Sequence, residues 1–251
     1  MRIISVINQK GGVGKTTSAY NIGHGLALKR KKVTLIDLDP QGQMTASLGV
    51  NNRQANGADR IFFDDEKAIS VAQMVRTNLH LIPAGHVLAE VELNARLVNK
   101  GAGHLKKSLG ADFAGQDFIV IDCPPSSGFL VANALLAATE VLVPVAADYL
   151  ALRGLAFLSE RLRGYDQMAG GATEQWVAVT RFHSRRRLAH EVIDMLRKHF
   201  PKHVLRTPIR EGVALAEAPS FGKSIFEYRP RCNGALDYAA LTADVLKNRV
   251  M

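Results

Sequence analysis

Cysteine is scarce in this chain. Only Cys123 and Cys232 occur among 251 residues, and they stand far apart with no C-x-x-C pair, so a disulfide framework, or a zinc or cluster site built by one chain, is not expected. Apolar runs of membrane-spanning length are missing, as is a basic-then-apolar leader; neither integral insertion nor export is indicated, and the cytoplasm is the expected compartment. The eight histidines show no H-E-x-x-H or other local ligand spacing, so His24 and His104 read as packing or surface residues. No G-x-S-x-G elbow suggests acyl chemistry. Aromatics are only 6% of the chain and do not interleave with its basic segments, which speaks against a base-reading surface. Repeats and low-complexity linkers are absent too.

What is present is a chain 47% hydrophobic with a mean hydropathy of zero. It is long enough to bury one sizeable core, and a single domain over residues 1–251 is expected. The formal net charge is +9, with a pI near 9.7, which favours an acidic partner, nucleic acid or anionic lipid, without choosing between them. From Ala151 to Arg210 there are twelve Lys or Arg against five Asp or Glu. Such asymmetry suggests a basic face.

Short apolar runs alternate with amphipathic segments. Residues 3–8, 33–37, 79–82, 118–122, 141–145 and 176–180 read as buried strands; residues 17–29, 87–98, 130–138, 150–168 and 188–200 read as helices. Strand-helix alternation predicts an α/β domain, a mostly parallel sheet with helices on both faces. The polar stretch Asn51 to Ser70 reads as a surface excursion, and Leu236 to Met251 as a packed helix.

The first strand runs into Gln9-Lys10-Gly11-Gly12-Val13-Gly14-Lys15-Thr16-Thr17 and then a helix. Glycines let the backbone curl so that N–H groups point inward, and the helix N-terminus favours negative charge. Residues 10–17 are therefore the expected nucleotide-binding loop, with Lys15 reaching the β- and γ-phosphates and Thr16 ligating Mg²⁺. Two further strands end in carboxylates: Val33-Thr34-Leu35-Ile36-Asp37-Leu38-Asp39-Pro40-Gln41-Gly42 and Phe118-Ile119-Val120-Ile121-Asp122-Cys123-Pro124-Pro125. The second has the Walker B arrangement, in which Asp122 would hold a Mg²⁺-bound water.

The loop departs from the ordinary Walker A pattern: Gln9 replaces the first glycine and a second lysine, Lys10, opens it. Here the sequence resembles the deviant Walker A family of ParA partition ATPases, MinD and the nitrogenase iron protein. The resemblance implies that Lys10 reaches across a dimer interface to the partner's phosphates, that Asp39 orients the attacking water, and that Asp37 lies near the metal. It extends over nearly the whole chain. Val143-Pro144-Val145 with 148–155 resembles the ParA segment after the next strand, with Asp148 where glutamate is common, and Glu217-Ala218-Pro219-Ser220-Phe221-Gly222-Lys223 resembles the ParA C-terminal signature, which favours ParA over other branches. The Pro-Arg-Asn-Val-Arg run that usually precedes it is altered, and a DNA-contacting arginine of some members aligns with Ala214; Arg210 is a substitute candidate. Arg185 aligns with a second DNA-contact arginine, beside Arg186 and Arg187. Three arginines opening a helix oppose its dipole but match the electrostatic footprint of backbone binding.

The resemblance thus implies an ATPase that forms a homodimer around ATP and Mg²⁺ and binds non-specific DNA on the nucleoid. A ParB-like or other adaptor would stimulate hydrolysis, and the cargo would be a plasmid, a chromosome origin or a protein assembly such as a carboxysome. The chain opens directly on its first strand, so operator-specific repression through an N-terminal helix-turn-helix is not expected, and no membrane partner is expected. The alternatives are a MinD-like membrane ATPase, which would show a basic amphipathic C-terminal helix with bulky apolar residues, and a metabolic ATP-dependent ligase of the same fold, such as a relative of dethiobiotin synthetase.

Overall fold

A computed structural model describes residues 1–52, 56–99, 101–149, 160, 163–164, 166–168 and 173–251. Seven strands form one sheet: β1 (Arg2–Val6), β2 (Val33–Asp37), β3 (Gln73–Arg76), β4 (Leu79–Ile82), β5 (Phe118–Asp122), β6 (Glu140–Ala146) and β7 (Glu174–Thr180). Their order is β3-β4-β2-β5-β1-β6-β7. All neighbours pair in parallel except β3 with β4.

β2 and β5 are buried at every position, as mostly apolar strands covered on both faces are. One buried cluster packs the helix Phe129–Ala137 against one face of the sheet. A second, on the other face, holds α1 (Lys15–Leu28) and the C-terminal helix Asn233–Lys247. These two helices approach closely because Gly25 has no side chain; a Cβ there would run into the Thr242 hydroxyl. Gly23 likewise admits Leu35 of β2.

Expected and observed elements differ in several places. Ile7 and Asn8 leave the sheet early, because Asn8 donates to Pro144 O at 2.8 Å and accepts Lys10 N–H at 3.0 Å, opening the loop. The helix expected over 87–98 is split into Leu88–Leu93 and Ala95–Asn99. Asn94 divides them, its side chain accepting the N–H groups of Arg96 and Leu97 as a helix cap does. The stretch Asn51 to Ser70 is no mere surface excursion: it contains the helix Ala58–Phe63, whose Ile61 and Phe62 are 1% exposed and belong to the core. The edge strand β3 was not expected, because Gln73 and Met74 are exposed and its sequence lacks an apolar run. Most of the helix expected over 150–168, with the segment from Leu150 to Leu155, lies outside the described residues.

Strand order reverses around β1, with β5 on one side and β6 on the other. In open parallel sheets the crevice at the carboxyl ends of such strands is where ligands bind. The glycine-rich loop, Asp39 and the residue following β5 all emerge there.

Candidate functional site

The loop between β1 and α1 owes its curl to Gly12 and Gly14, at φ 72° and 82°, backbone that side chains adopt only at a cost. Gly14 is also the residue on which α1 begins. The loop is pinned from β7, where the Thr180 hydroxyl donates to Val13 O at 2.9 Å. Val13 is buried, while Gly11 and Gly12 are exposed, and Thr16 and Thr17 stand half-buried on the first turn of α1.

Lys15 is buried, and its ammonium donates to Lys10 O at 3.2 Å, so it lies folded under the loop. Burial lowers its pKa, opposed by the carboxylates of Asp122 and Asp39. Asp37 and Asp122 end adjacent parallel strands as Cα partners. Burial, then the neighbouring Asp37, holds the Asp122 carboxyl well above the usual range, with the Thr16 hydroxyl and Lys15 acting the other way. Among the described residues neither Asp122 oxygen has a hydrogen-bond partner. A buried carboxylate without partners, next to a threonine hydroxyl at the start of a P-loop helix, has the donor chemistry of a hard-cation site.

Asp37 is differently employed. Its Oδ2 accepts the N–H and the hydroxyl of Thr45 at 2.8 and 2.7 Å, and its Oδ1 accepts Asp39 N–H at 3.2 Å. Burial raises its pKa to about 6. Asp37 lies beside Asp122, and its hydrogen bonds hold the turn that carries Asp39. That turn closes through Gly42 N–H to Asp39 O at 2.8 Å, with Gly42 at φ 62°. Asp39 itself is 8% exposed and accepts Gln41 N–H at 3.0 Å. Thr45 was missed by sequence reasoning; it lies eight residues past Asp37 in no motif, and only the fold reveals the contact.

Lys10 points away from this cluster, its ammonium 2.7 Å from Asp148 Oδ2. On the side of the loop facing β7 a cleft of about 260 Å³ opens between Gly12, Thr17, Arg181, Ile209, Arg210 and Tyr238. It had no sequence signal. Arg210, expected as a DNA contact, is in this cleft and makes a bidentate pair with Asp237, at 2.6 Å and 2.9 Å. Arg185, Arg186 and Arg187 are all exposed beyond β7, and the helix Arg187–His199 begins among them. Arg187 pairs with Glu191 at 2.8 Å. Ala214 is buried in the helix Val213–Glu217. Of the two remaining histidines discussed above, His24 bonds the Ser224 hydroxyl at 2.7 Å in the interior and His104 packs edge-on against Phe129, so both are packing residues.

Known proteins resemble this chain in sequence and in fold. A family profile described as "AAA domain" matches residues 1–169. Sporulation initiation inhibitor protein Soj of Bacillus subtilis is 39% identical over 98% of this chain and 99% of its own length. The chain belongs to the Soj/ParA family. Chromosome partitioning protein ParA of Myxococcus xanthus is 34% identical over 98% of this chain and 88% of its own. Among solved structures, a putative plasmid partition protein of Borrelia burgdorferi bound to AMPPNP superposes with TM-score 0.81 at 26% identity, covering 98% of both chains. Cobyrinic acid a,c-diamide synthase of Mycobacterium smegmatis, with bound ADP and magnesium, gives TM-score 0.82 at 28% identity over 98% of this chain and 94% of its own. ParA-family membership thus rests on nearly the full length, and the P-loop fold is common to partition proteins and a biosynthetic enzyme.

Proposed function

We propose that this ParA-family chain acts as one unit over residues 1–251, binding ATP with Mg²⁺, dimerising around it, and hydrolysing it while bound to non-specific DNA. The observation that carries the nucleotide reading is the Asp122 carboxylate, buried beside Thr16 and Lys15 with neither oxygen partnered among the described residues. Thr16 and Asp122 would hold the metal, which when bound neutralises developing charge on the transferred phosphoryl group. Loop N–H groups from Gly11 to Thr17 and the Lys15 ammonium cradle the phosphates. The cleft edged by Thr17, Arg181 and Ile209 takes the base and ribose. Asp39 orients the attacking water, and Asp37 fixes Asp39 through the Thr45 turn.

Lys10 then acts on the nucleotide of a second protomer. Arg185, Arg186 and Arg187 form the DNA face, one on each side of the dimer, and a ParB-like adaptor accelerates turnover. Partition proteins among the relatives support this reading over the metabolic one. The C-terminal segment supports it over the membrane one: the helix Asn233–Lys247 packs on α1 through Tyr238, Leu241 and Val245, and no helix among the described residues is long and apolar enough to cross a membrane. The activity is expected on the nucleoid, in the cytoplasm. ATP hydrolysis measured with Mg²⁺ and with chelator, for the unmutated chain and Lys15→Ala, tests it. Metal-dependent release of phosphate lost in Lys15→Ala supports the reading; a rate that Lys15→Ala leaves unchanged overturns it.

A further inference from the structure

We propose that Arg76 is a positioning residue for ATP hydrolysis, fixing the segment that carries Asp39 against the segment that borders the nucleotide cleft; this rests on the water-orienting role given to Asp39 above. The edge strand delivers it. Met74 of β3 is the Cα partner of His80, but the register shifts before Arg76, which pairs with Leu79. A one-residue shift carries a side chain to the other face of a sheet. Leu79 belongs to the buried cluster on the α1 face and Val75 packs against it, and Arg76 meets its partners there. Five acceptors occupy all the N–H groups a guanidinium has: Nε donates to Glu227 Oε1 at 2.9 Å, Nη2 to Glu227 Oε2 at 3.3 Å and Gly222 O at 2.7 Å, and Nη1 to Leu48 O at 2.9 Å and Val75 O at 3.2 Å.

An arginine that bridges carbonyls can serve stability alone; the segments joined here give Arg76 a second role. Leu48 caps the end of the short helix Gln43–Ser47, whose other end is Gly42, the residue that closes the Asp39 turn. Thr45, in the middle, is bonded to Asp37. The helix is thus held from β2 by a carboxylate and from β3 by Arg76. Gly222 follows the turn Ala218–Phe221, which continues the helix Val213–Glu217, and Leu215 and Ala216 of that helix line the cleft. The two segments touch backbone to backbone, since a Cβ on Gly222 would stand 2.9 Å from Gly49 Cα. Glu227 anchors the clamp to α1: it accepts Ser224 N–H at 2.9 Å, and the Ser224 hydroxyl meets His24 of α1 at 2.7 Å. A lysine, with its donors on one nitrogen, has no fork to span both carbonyls and the carboxylate. Asp39 and the cleft therefore keep a fixed spacing through one guanidinium.

The test is a double-mutant cycle on steady-state ATP hydrolysis with Mg²⁺, read as kcat and KM at a temperature below the melt of every variant. Arg76→Gln should lower kcat by about tenfold or more and change KM by less than about threefold, because a shifted Asp39 turn misplaces water without disturbing the phosphate loop. Arg76→Lys should recover part of that loss. Glu227→Gln keeps both carbonyl contacts and removes one charge, so its kcat should fall by only about threefold; the same cycle run with it serves where Arg76→Gln does not fold. In the Asp39→Ala background Arg76→Gln should cost less than about twofold more, since the residue it positions is gone. A stabilising clip alone would lower Tm in Arg76→Gln and leave kcat as it was. That result would overturn the proposal, as would losses in Arg76→Gln and Asp39→Ala that multiply in the double variant. An unaltered rate in Asp39→Ala by itself would instead remove the water-orienting reading, and the role of Arg76 with it.

Discussion

Lys10 and Asp148 form an ion pair within one protomer, Nζ to Oδ2 at 2.7 Å, with both side chains partly exposed. The lysine proposed to reach a partner's phosphates is thus paired within its own protomer. Lys15→Ala should lose ATP binding, whereas Lys10→Ala should retain most of it and fail to dimerise. Pairs this exposed contribute at most about 1 kcal/mol, so Asp148→Asn should lower the ATP concentration needed for dimerisation by no more than about fivefold. Sedimentation with ATP of all three variants checks this, and normal dimerisation of Lys10→Ala would remove the trans role.

Asp39 is positioned by its own turn, accepting Gln41 N–H at 3.0 Å. Asp39→Ala should bind ATP, accumulate as a dimer, and turn over at least about tenfold more slowly. Steady-state phosphate release is the measurement. An unaltered rate would return the water-orienting role to another residue.

The raised pKa of Asp37 has a definite sign. Its burial favours the neutral acid, so its contribution to stability is full below the unfolded carboxylate pKa near 3.9 and is lost as pH rises through about 6. In nucleotide-free protein this is on the order of 2–3 kcal/mol. Asp37→Asn should flatten the fall of Tm between pH 4 and 6, while slackening the Thr45 turn. Thermal melts across that window, with equal slopes for both proteins, would show that Asp37 is ionised throughout.

Arg210 should behave as a nucleotide-cleft residue. Removing it leaves Asp237, 6% exposed, without its bidentate partner, a loss of roughly 1–3 kcal/mol. Arg210→Ala should therefore lower Tm and weaken ATP binding. If it lost DNA binding while its Tm and ATP affinity stayed put, Arg210 would belong to the DNA face.

The sheet was largely legible in the sequence, because β2, β4 and β5 are buried apolar runs whose ends coincide with the expected ones, and the P-loop declares itself by glycine spacing. Elements whose burial is one-sided were not: β3 sits at an edge with polar residues outward, and the helix Ala58–Phe63 hides its Ile61-Phe62 pair inside a polar stretch. Contacts between distant segments were also out of reach. Nothing in sequence spacing joins Asp37 to Thr45 or Arg210 to Asp237, the pair at the cleft beside the P-loop. Asn94 broke a helix that periodicity alone would continue.

In the proposed cycle ATP, through dimerisation, controls DNA binding by the Arg185–Arg187 face. Pairing two faces on one duplex makes the second contact intramolecular, which raises affinity by roughly a hundredfold or more. The deciding measurement is DNA retention at physiological salt, with ATP and with ADP, for the unmutated chain and for R185A/R186A/R187A. Strong retention of the unmutated chain is expected with ATP only, and its loss in the triple variant while ATP-driven dimerisation persists. Equal retention with the two nucleotides, or full ATP-dependent retention of the triple variant, would contradict it.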